Sequence, residues 1–219
     1  MSAMIEQQRF NMVEQQVRPW DVHDPRVLAA LGRVHREQFV ADADRALAFV
    51  DIGLPLAHGE SMMRPLIEGR LLQALALQAT DSVLEIGTGS GFVTACLASL
   101  AREVLSVEIH ADLAERARAR LQNAAVSNAQ VRIADALVGF EPGRSFDAIA
   151  VTGAVYQEPE QFRRWLQPGG RLFLIRGESP VLEAVLITRR QPQQFDEQSL
   201  FETDLPYLIH ATPPKHFVL

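Results

Sequence analysis

The stretch that decides the fold is Val83-Leu84-Glu85-Ile86-Gly87-Thr88-Gly89-Ser90-Gly91-Phe92. It opens with an apolar run over 82–86, which predicts a short strand. Glycines at alternate positions follow, and glycine permits a sharp turn and a close approach of a ligand to the backbone amides. The apolar run over 90–100 then predicts a helix. The stretch is therefore a strand–turn–helix unit with a glycine-rich turn.

Predicted strands and helices alternate after this unit. Further strands are predicted over 103–109, 130–134, 146–151 and 171–175, with 181–188 and a segment near Phe201 as candidates to complete the sheet. Helices are predicted over 111–123 and 159–166. Such alternation is typical of a mostly parallel sheet flanked by helices, so we predict the α/β class.

Residues 1–80 lack this alternation. Asp24-Pro25 supplies a capping carboxylate followed by proline at the first helical position, and Pro65 opens another predicted helix over 65–77. The segment 51–64 has no clear period and is predicted to be an ordered loop. We expect a single domain over 1–219, in which 1–80 form a helical cap with this loop and 81–219 form the core.

Composition excludes several classes of function. Lys and Arg number 21 against 27 Asp and Glu, so the formal net charge is -6 and nucleic acid is not an expected partner. The single cysteine, Cys96, excludes an internal disulfide framework and fits a reducing compartment. We find no signal-peptide pattern, no apolar run of membrane-spanning length and no metal-ligand spacing of histidines, and we therefore expect a cytoplasmic protein without a metal.

Acidic residues at successive predicted strand ends indicate the kind of cofactor. The dinucleotide fingerprint would need glycine where Phe92 stands, so a cofactor without a pyrophosphate is favoured. Glu85 can meet an ammonium group or order the loop, Glu108 can accept from ribose hydroxyls, and Asp135 can accept from an adenine amino group. Each carboxylate taken alone has a structural alternative, a solvated charge or a helix cap. The predicted cofactor residues are Glu85, Gly87, Thr88, Gly89, Gly91, Glu108, Asp135 and Ala136.

At this point the sequence resembles the protein-L-isoaspartate O-methyltransferase family. The segments that carry the resemblance are 24–30, 36–40, 51–56, 83–92, 146–152 and 166–172. The resemblance implies a Rossmann-like sheet, S-adenosylmethionine as methyl donor with S-adenosylhomocysteine as product, and methylation of the carboxylate of damaged aspartyl residues in proteins. The expected partner is accordingly a protein or peptide carboxylate.

The resemblance also places an active-site loop at Gly59-Glu60-Ser61-Met62-Met63-Arg64-Pro65. The family typically reads Gly-Gln-Thr-Ile-Ser before its proline. Ser61 matches the threonine conservatively, whereas Met63 stands where the family has its active-site serine. Ser61 and Met63 are therefore the candidate catalytic positions, and the loss of one hydroxyl donor predicts weaker isoaspartyl activity or another acceptor.

Methyl transfer to a carboxylate needs orientation rather than a general base, because the acceptor is already ionised at neutral pH. Arg64 or Arg176 is a candidate to compensate for Met63 by binding an anionic acceptor, and the alternative for each is a surface arginine. His58 is a candidate base for a neutral acceptor, and its alternative is a structural loop residue.

Other functions remain open at this stage. The same fold could methylate a small acid or RNA, and the acidic balance argues mildly against RNA. Methylation of amino groups is disfavoured, because Val151-Thr152-Gly153-Ala154 lacks the Asn/Asp-Pro-Pro-aromatic signature. A non-catalytic S-adenosylmethionine-binding module, in which Met63 marks lost activity, is the third alternative. The sequence does not specify an oligomeric state.

Overall fold

The computed structural model describes residues 2–214; Met1 and residues 215–219 lie outside this range. A central sheet and a separate hairpin contain all strands of the described range. The hairpin pairs β1 and β2 in antiparallel fashion, and the sheet has seven strands in the order β5-β4-β3-β6-β7-β8-β9. The strands are β1 Leu54–Pro55, β2 Ser61–Met62, β3 Ser82–Ile86, β4 Glu103–Glu108, β5 Ala129–Ile133, β6 Phe146–Val155, β7 Leu166–Glu178, β8 Val181–Gln191 and β9 Gln194–Thr203.

The first five strands of the sheet run parallel, and β8 and β9 pair antiparallel at one edge. Every residue of β3 is buried, including Ser82 and Glu85. Side chains alternate across a strand, so Val83 joins one hydrophobic cluster and Leu84 joins the other. The prediction of a mostly parallel sheet covered on both faces is confirmed.

Helices surround this sheet. They are α1 Ser2–Asn11, α2 Pro25–Arg33, α3 Pro65–Leu75, α4 Phe92–Leu100, α5 Ala111–Asn123 and α6 Glu160–Arg164, and α1 continues into a wider π-type turn over Met12–Val17. The cluster on one face of the sheet contains residues of the N-terminal helices, α4 and α5. The cluster on the other face contains Phe162 of α6 together with Trp165.

Of the N-terminal helices, α3 packs on β6 and β7 of the sheet, and α2 packs on α3 and α4. The Asp24 carboxylate accepts from the amide of Arg26 at 2.8 Å, so the predicted cap of α2 is present. Leu31 of α2 and Leu71 of α3 are fully buried in the cluster that also contains Val83 of β3. The predicted helical cap therefore shares its hydrophobic core with the sheet.

Two sequence predictions need correction. The segment 51–64, predicted as a loop, contains the β1–β2 hairpin, in which Leu54 pairs with Met62. The sequence did not indicate these strands, because the short extended pieces have no apolar alternation. The strands predicted over 146–151 and 171–175 extend to 146–155 and 166–178. Pro168 and the two glycines that follow it, which we interpreted as a turn before the second strand, are accommodated within β7.

Candidate active site

The glycine turn leaves β3 at the carboxyl edge of the sheet. Gly87 has φ +95° and Gly89 has φ +51°, a left-handed region that favours glycine. A Cβ added to Gly87 would lie 2.4 Å from Oγ1 of Thr152, and one added to Gly89 would lie 3.2 Å from Leu56. Both glycines line a pocket at this edge of the sheet. The turn is therefore folded so tightly that only glycine fits at Gly87.

Glu108 at the end of β4 is fixed by backbone amides. Its Oε2 accepts from the amide of Gly89 at 2.8 Å, and its Oε1 accepts from the amide of His110 at 3.0 Å. The carboxylate is buried and lines the pocket. It thus presents a fixed negative charge with further acceptor capacity, which is suited to hydroxyl groups of a ligand.

Glu85 lies behind the glycine turn and does not line the pocket. Thr94 and Ser106 each donate a hydroxyl to its Oε2 at 2.5 Å, and no described residue is hydrogen-bonded to its Oε1. Complete burial raises the pKa of Glu85 to about 8, with a smaller contribution from Glu108, so the carboxyl carries a proton at neutral pH. The geometry fits the second of its two predicted roles, ordering the loop, rather than contact with an ammonium group.

Thr88 and Gly91 also support the turn from outside the pocket lining. The hydroxyl of Thr88 lies 2.5 Å from that of Ser106, which connects the turn to Glu85 through hydroxyl groups. The φ of Gly91 is +87°, and a Cβ there would lie 3.3 Å from Cβ of Ala117 in α5. These residues hold the turn against its neighbours.

Thr152 in β6 is a site residue that the sequence prediction missed. It lines the pocket, and its hydroxyl donates to the carbonyl oxygens of Ile86 at 2.9 Å and Gly87 at 2.5 Å. It therefore anchors the glycine turn to the neighbouring parallel strand. Its position at the same strand edge as Glu108 was the one signal that could have identified it.

Asp135 follows β5 and uses both carboxylate oxygens. Oδ1 accepts from the amide of Leu137 at 2.8 Å and from that of Val138 at 3.2 Å, and Oδ2 lies 2.6 Å from Nδ1 of His210. Asp135 and its neighbour Ala136 line the pocket, as predicted for cofactor residues. The capping alternative is also real, because Asp135 accepts from the amides of the turn after it.

A segment near the C-terminus, residues 205–210, forms one wall of the pocket and was not predicted. It runs beside the end of β6, where the amide of Ala154 donates to Pro206 and the amide of Leu208 donates back to Ala154. Leu205, Pro206, Leu208 and Ile209 line the pocket. The His210–Asp135 contact attaches the end of this segment to the opposite side of the site.

The β1–β2 hairpin supplies the remaining wall. Leu56, Glu60 and Ser61 line the pocket, and the amide of Leu56 donates to the carbonyl of Glu60 at 2.8 Å. Ser61, one of the two predicted catalytic positions, thus lies in the pocket lining. Glu60, a second group of the hairpin in the pocket, was not predicted.

Met63 is buried in the core rather than in the pocket lining. Its side chain is 4% exposed, and its carbonyl accepts from Nη2 of Arg36 at 2.7 Å. Arg36 is fully buried, forms an ion pair with Glu68, and lies 4.8 Å over the ring of Phe92. The position that the resemblance marks as catalytic therefore acts here as an anchor of the loop through its backbone.

The predicted acceptor-binding arginines lie away from the pocket lining. Arg64 is half-exposed and 3.8 Å from Asp51. Arg176 extends from β7 toward carboxylates, at 2.8 Å from Glu197 and 3.5 Å from Glu158. These carboxylates already compensate the guanidinium of Arg176, so the structure gives it no free group for an acceptor.

His58 lies beside the pocket, where it connects two segments. Its Nε2 is 2.7 Å from the Asp112 carboxylate, and its ring stacks on His110 with centroids 3.9 Å apart. The hydrogen bond from His58 lowers the pKa of the Asp112 carboxyl. The structural alternative for His58 is therefore the one that the geometry supports.

Among residues 2–214, the side chains lining the pocket include the carboxylates of Glu60, Glu108 and Asp135 and no Lys, Arg or His. The remaining lining is largely apolar or glycine. A negatively charged, glycine-floored pocket fits a cationic ligand that carries hydroxyl groups and an aromatic base. S-adenosylmethionine has these features.

Comparison with solved structures identifies the fold. The fold matches a crystal structure described as a protein-L-isoaspartate O-methyltransferase of Plasmodium falciparum in complex with S-adenosyl-L-homocysteine, with a TM-score of 0.80, 18% identity, and coverage of 91% of this chain and 97% of that one. The fold is therefore the Rossmann-like fold of S-adenosylmethionine-dependent methyltransferases. The predicted fold class is confirmed.

The chain belongs to the protein-L-isoaspartate(D-aspartate) O-methyltransferase family, whose sequence model matches residues 7–203. It is 34% identical over 216 residues to a protein-L-isoaspartate O-methyltransferase of Herpetosiphon aurantiacus, covering 99% of this chain and 96% of that protein. It is 38% identical over 201 residues to one of Rhodopseudomonas palustris, covering 91% and 92%.

The resemblance drawn from the sequence is therefore confirmed, and with it the enzyme class, a protein-L-isoaspartate O-methyltransferase that uses S-adenosylmethionine. The alternative of a non-catalytic binding module is not favoured. Within the described range, no helix has the length and apolar character needed to span a membrane.

Proposed function

We propose that this chain methylates the free carboxylate of isoaspartyl residues in proteins and peptides, with the acceptor held between the β1–β2 hairpin and the glycine turn. The observation that carries the proposal is one shared pocket. Ser61 and Glu60 of the hairpin line it together with Gly87, Gly89 and Glu108 of the strand ends. A methyl donor and an acceptor in that pocket would lie side by side.

On this proposal, Glu108 accepts hydrogen bonds from the ribose hydroxyls of the cofactor, because its carboxylate is fixed at the end of β4 by two amides. Asp135 and Ala136 face the adenine, and Asp135 is held for this by the amides of Leu137 and Val138. Thr152 keeps the turn in the shape that leaves room for the ligand.

S-adenosylmethionine supplies a methyl group activated by a sulfonium. The chain's own task is then to orient an acceptor that is already nucleophilic, and good orientation can supply about 7–11 kcal/mol of a barrier. Ser61 is the hydroxyl of the hairpin that lines the pocket, and we assign it the role of donating to the acceptor carboxylate. The apolar residues of segment 205–210 exclude water from the same space.

The test uses labelled S-adenosylmethionine with a pair of peptides that differ only in an isoaspartyl or a normal aspartyl residue. We expect transfer to the isoaspartyl peptide alone. Ser61→Ala should lower turnover by about a hundredfold, the usual effect of removing a well-placed donor, while S-adenosylhomocysteine binding measured by calorimetry stays unchanged.

Met63→Ser is the matched variant. The side chain of Met63 lies in the core, so we expect this substitution to lower the thermal midpoint of unfolding without raising turnover. A gain of isoaspartyl activity in Met63→Ser would contradict the assignment of Ser61 as the acceptor donor. Equal transfer to both peptides would overturn the proposed acceptor.

A further inference from the structure

Glu60 places a carboxyl group in the pocket next to Ser61, the residue to which the proposed function assigns the acceptor carboxylate. Its side chain is 28% exposed and lines the pocket next to Ser61, with Oε1 3.8 Å from Nε2 of His110. Across residues 2–214, the pocket lining contains no Lys, Arg or His, and His110, which contacts Glu60, lies outside it. Arg64 and Arg176 are paired with carboxylates outside the lining.

Two carboxyl groups held within a few ångströms do not both ionise, because each raises the pKa of the other. An acceptor must be ionised on the oxygen that attacks the methyl group. The neutral partner of such a pair must therefore be Glu60. A carboxylic acid can donate a hydrogen bond, which a carboxylate cannot.

We infer that Glu60 is protonated when it binds the acceptor carboxylate and that it donates this proton in a shared hydrogen bond. A protonated Glu60 thereby selects an acceptor that is anionic. The inference rests on the proposed function and names the group that recognises its substrate.

In the transfer step, one acceptor oxygen forms the bond to the methyl carbon while the bond from carbon to sulfur breaks and its electron pair passes to sulfur. The proton of Glu60 stays between Glu60 and the other acceptor oxygen. The ester formed is neutral and a weaker hydrogen-bond acceptor than the carboxylate, so the product is held less tightly than the substrate.

The groups around Glu60 shift its pKa in both directions. Burial raises its pKa, His110 and His58 lower it, and Glu108 raises it further, with the net shift upward. Asp112 contacts His58 and therefore influences the effect of His58 on the pKa of Glu60. The protonated form thus persists to higher pH than for an exposed glutamate, and an anionic acceptor extends that range.

The experiment is the pH profile of kcat/KM for the isoaspartyl peptide between about pH 5 and pH 9, for wild type and Glu60→Gln. In wild type we expect kcat/KM to fall by about tenfold per pH unit once Glu60 ionises. Gln donates a hydrogen bond at every pH, so Glu60→Gln should abolish this fall and exceed wild type at the alkaline end. Glu115→Gln on α5, an exposed acid, is the control and should keep the wild-type profile.

S-adenosylhomocysteine affinity, measured at each pH, separates acceptor from cofactor effects. Glu60→Gln retaining the alkaline fall, or losing activity equally at every pH with normal S-adenosylhomocysteine binding, would overturn the inference while leaving the proposed function intact. If neither protein transferred methyl to the isoaspartyl peptide at any pH, the proposed function would fall and the inference with it.

Discussion

The two halves of the pocket are built in different ways. The cofactor half consists of adjacent strand ends, where backbone amides fix Glu108 and Asp135 and glycines form the floor. The acceptor half is assembled from segments far apart in sequence, and side-chain contacts add to the backbone hydrogen bonds that attach segment 205–210 to Ala154. His58 of the hairpin contacts Asp112 of α5, and His210 contacts Asp135.

This difference determines which property of the enzyme a substitution is expected to change. The geometry of the cofactor half follows from the parallel sheet, because the carboxyl ends of its strands meet at one edge. The acceptor half depends on a few side-chain contacts that a single substitution can change. We therefore expect substitutions in the first half to remove cofactor binding and those in the second to alter acceptor use.

The largest expected effect comes from Arg36, which joins the acceptor hairpin to the core. Arg36→Ala would leave Glu68 buried without its partner and release the Met63 carbonyl. Breaking a fully buried ion pair from one side typically costs about 3–5 kcal/mol. We expect a loss of that size in the free energy of unfolding, measured by urea denaturation.

The matched control for Arg36 replaces both partners by apolar residues. Arg36→Met combined with Glu68→Leu removes the charges together, and we expect it to recover most of the lost stability. It should not restore acceptor turnover, since the hydrogen bond to the Met63 carbonyl is still missing. A single variant Arg36→Ala within about 1 kcal/mol of wild type would show that the pair does not anchor the hairpin.

A smaller effect, confined to the cofactor half, is expected from Gly87→Ala. The added Cβ would lie 2.4 Å from the Thr152 hydroxyl at a φ of +95°. We expect S-adenosylhomocysteine affinity to fall by about a hundredfold, equivalent to about 3 kcal/mol, as measured by calorimetry. Gly139→Ala provides the control, because its φ is +76° but a Cβ there meets nothing within 4 Å. Equal losses of S-adenosylhomocysteine affinity in both variants would mean that backbone strain, and not the close contact in the pocket, causes the effect.

The contrast between the halves also explains what the sequence could reveal. Glu108 and Asp135 were predictable because a residue that ends a strand of a parallel sheet has a known location. Glu60 and segment 205–210 were not, since their arrival at the pocket depends on tertiary packing that has no local pattern. Arg176 shows the same limit in the opposite way, because it was predicted to bind the acceptor but does not line the pocket. Its place near a strand end suggested a ligand, but β8 and β9 bring carboxylates that pair with it.

Met63 is the most informative of these differences. A motif comparison assigns it the place of a catalytic side chain, whereas the fold buries that side chain and uses its carbonyl. Ser61 pairs with Pro55 in the β1–β2 hairpin and lines the pocket. Alternation along a strand would place Ser61 and Met63 on the same face, but β2 ends at Met62. Met63 therefore lies beyond the strand, and a motif position alone does not say which side chain reaches the ligand.

The smallest expected effect tests the side-chain contacts of the acceptor half. His58 has a φ of +64° and holds Asp112 across the mouth of the pocket. Both side chains are partly exposed, so the contact is weak, and His58→Ala should raise the KM for the isoaspartyl peptide by about two- to fivefold. Kcat and S-adenosylhomocysteine affinity should not change, because Glu108 is held by backbone amides and the glycine turn by Thr152, and neither depends on His58. Asp112→Asn should give a similar shift.

The double variant His58→Ala with Asp112→Asn decides whether the two residues act as one contact. If they do, the double variant raises KM no further than either single variant, which is the non-additivity of a direct pair. Additive shifts in KM would mean that each residue acts on the peptide separately. A change in S-adenosylhomocysteine affinity would show that the acceptor half also shapes the cofactor half, and the division between backbone-held and side-chain-held halves would then fail.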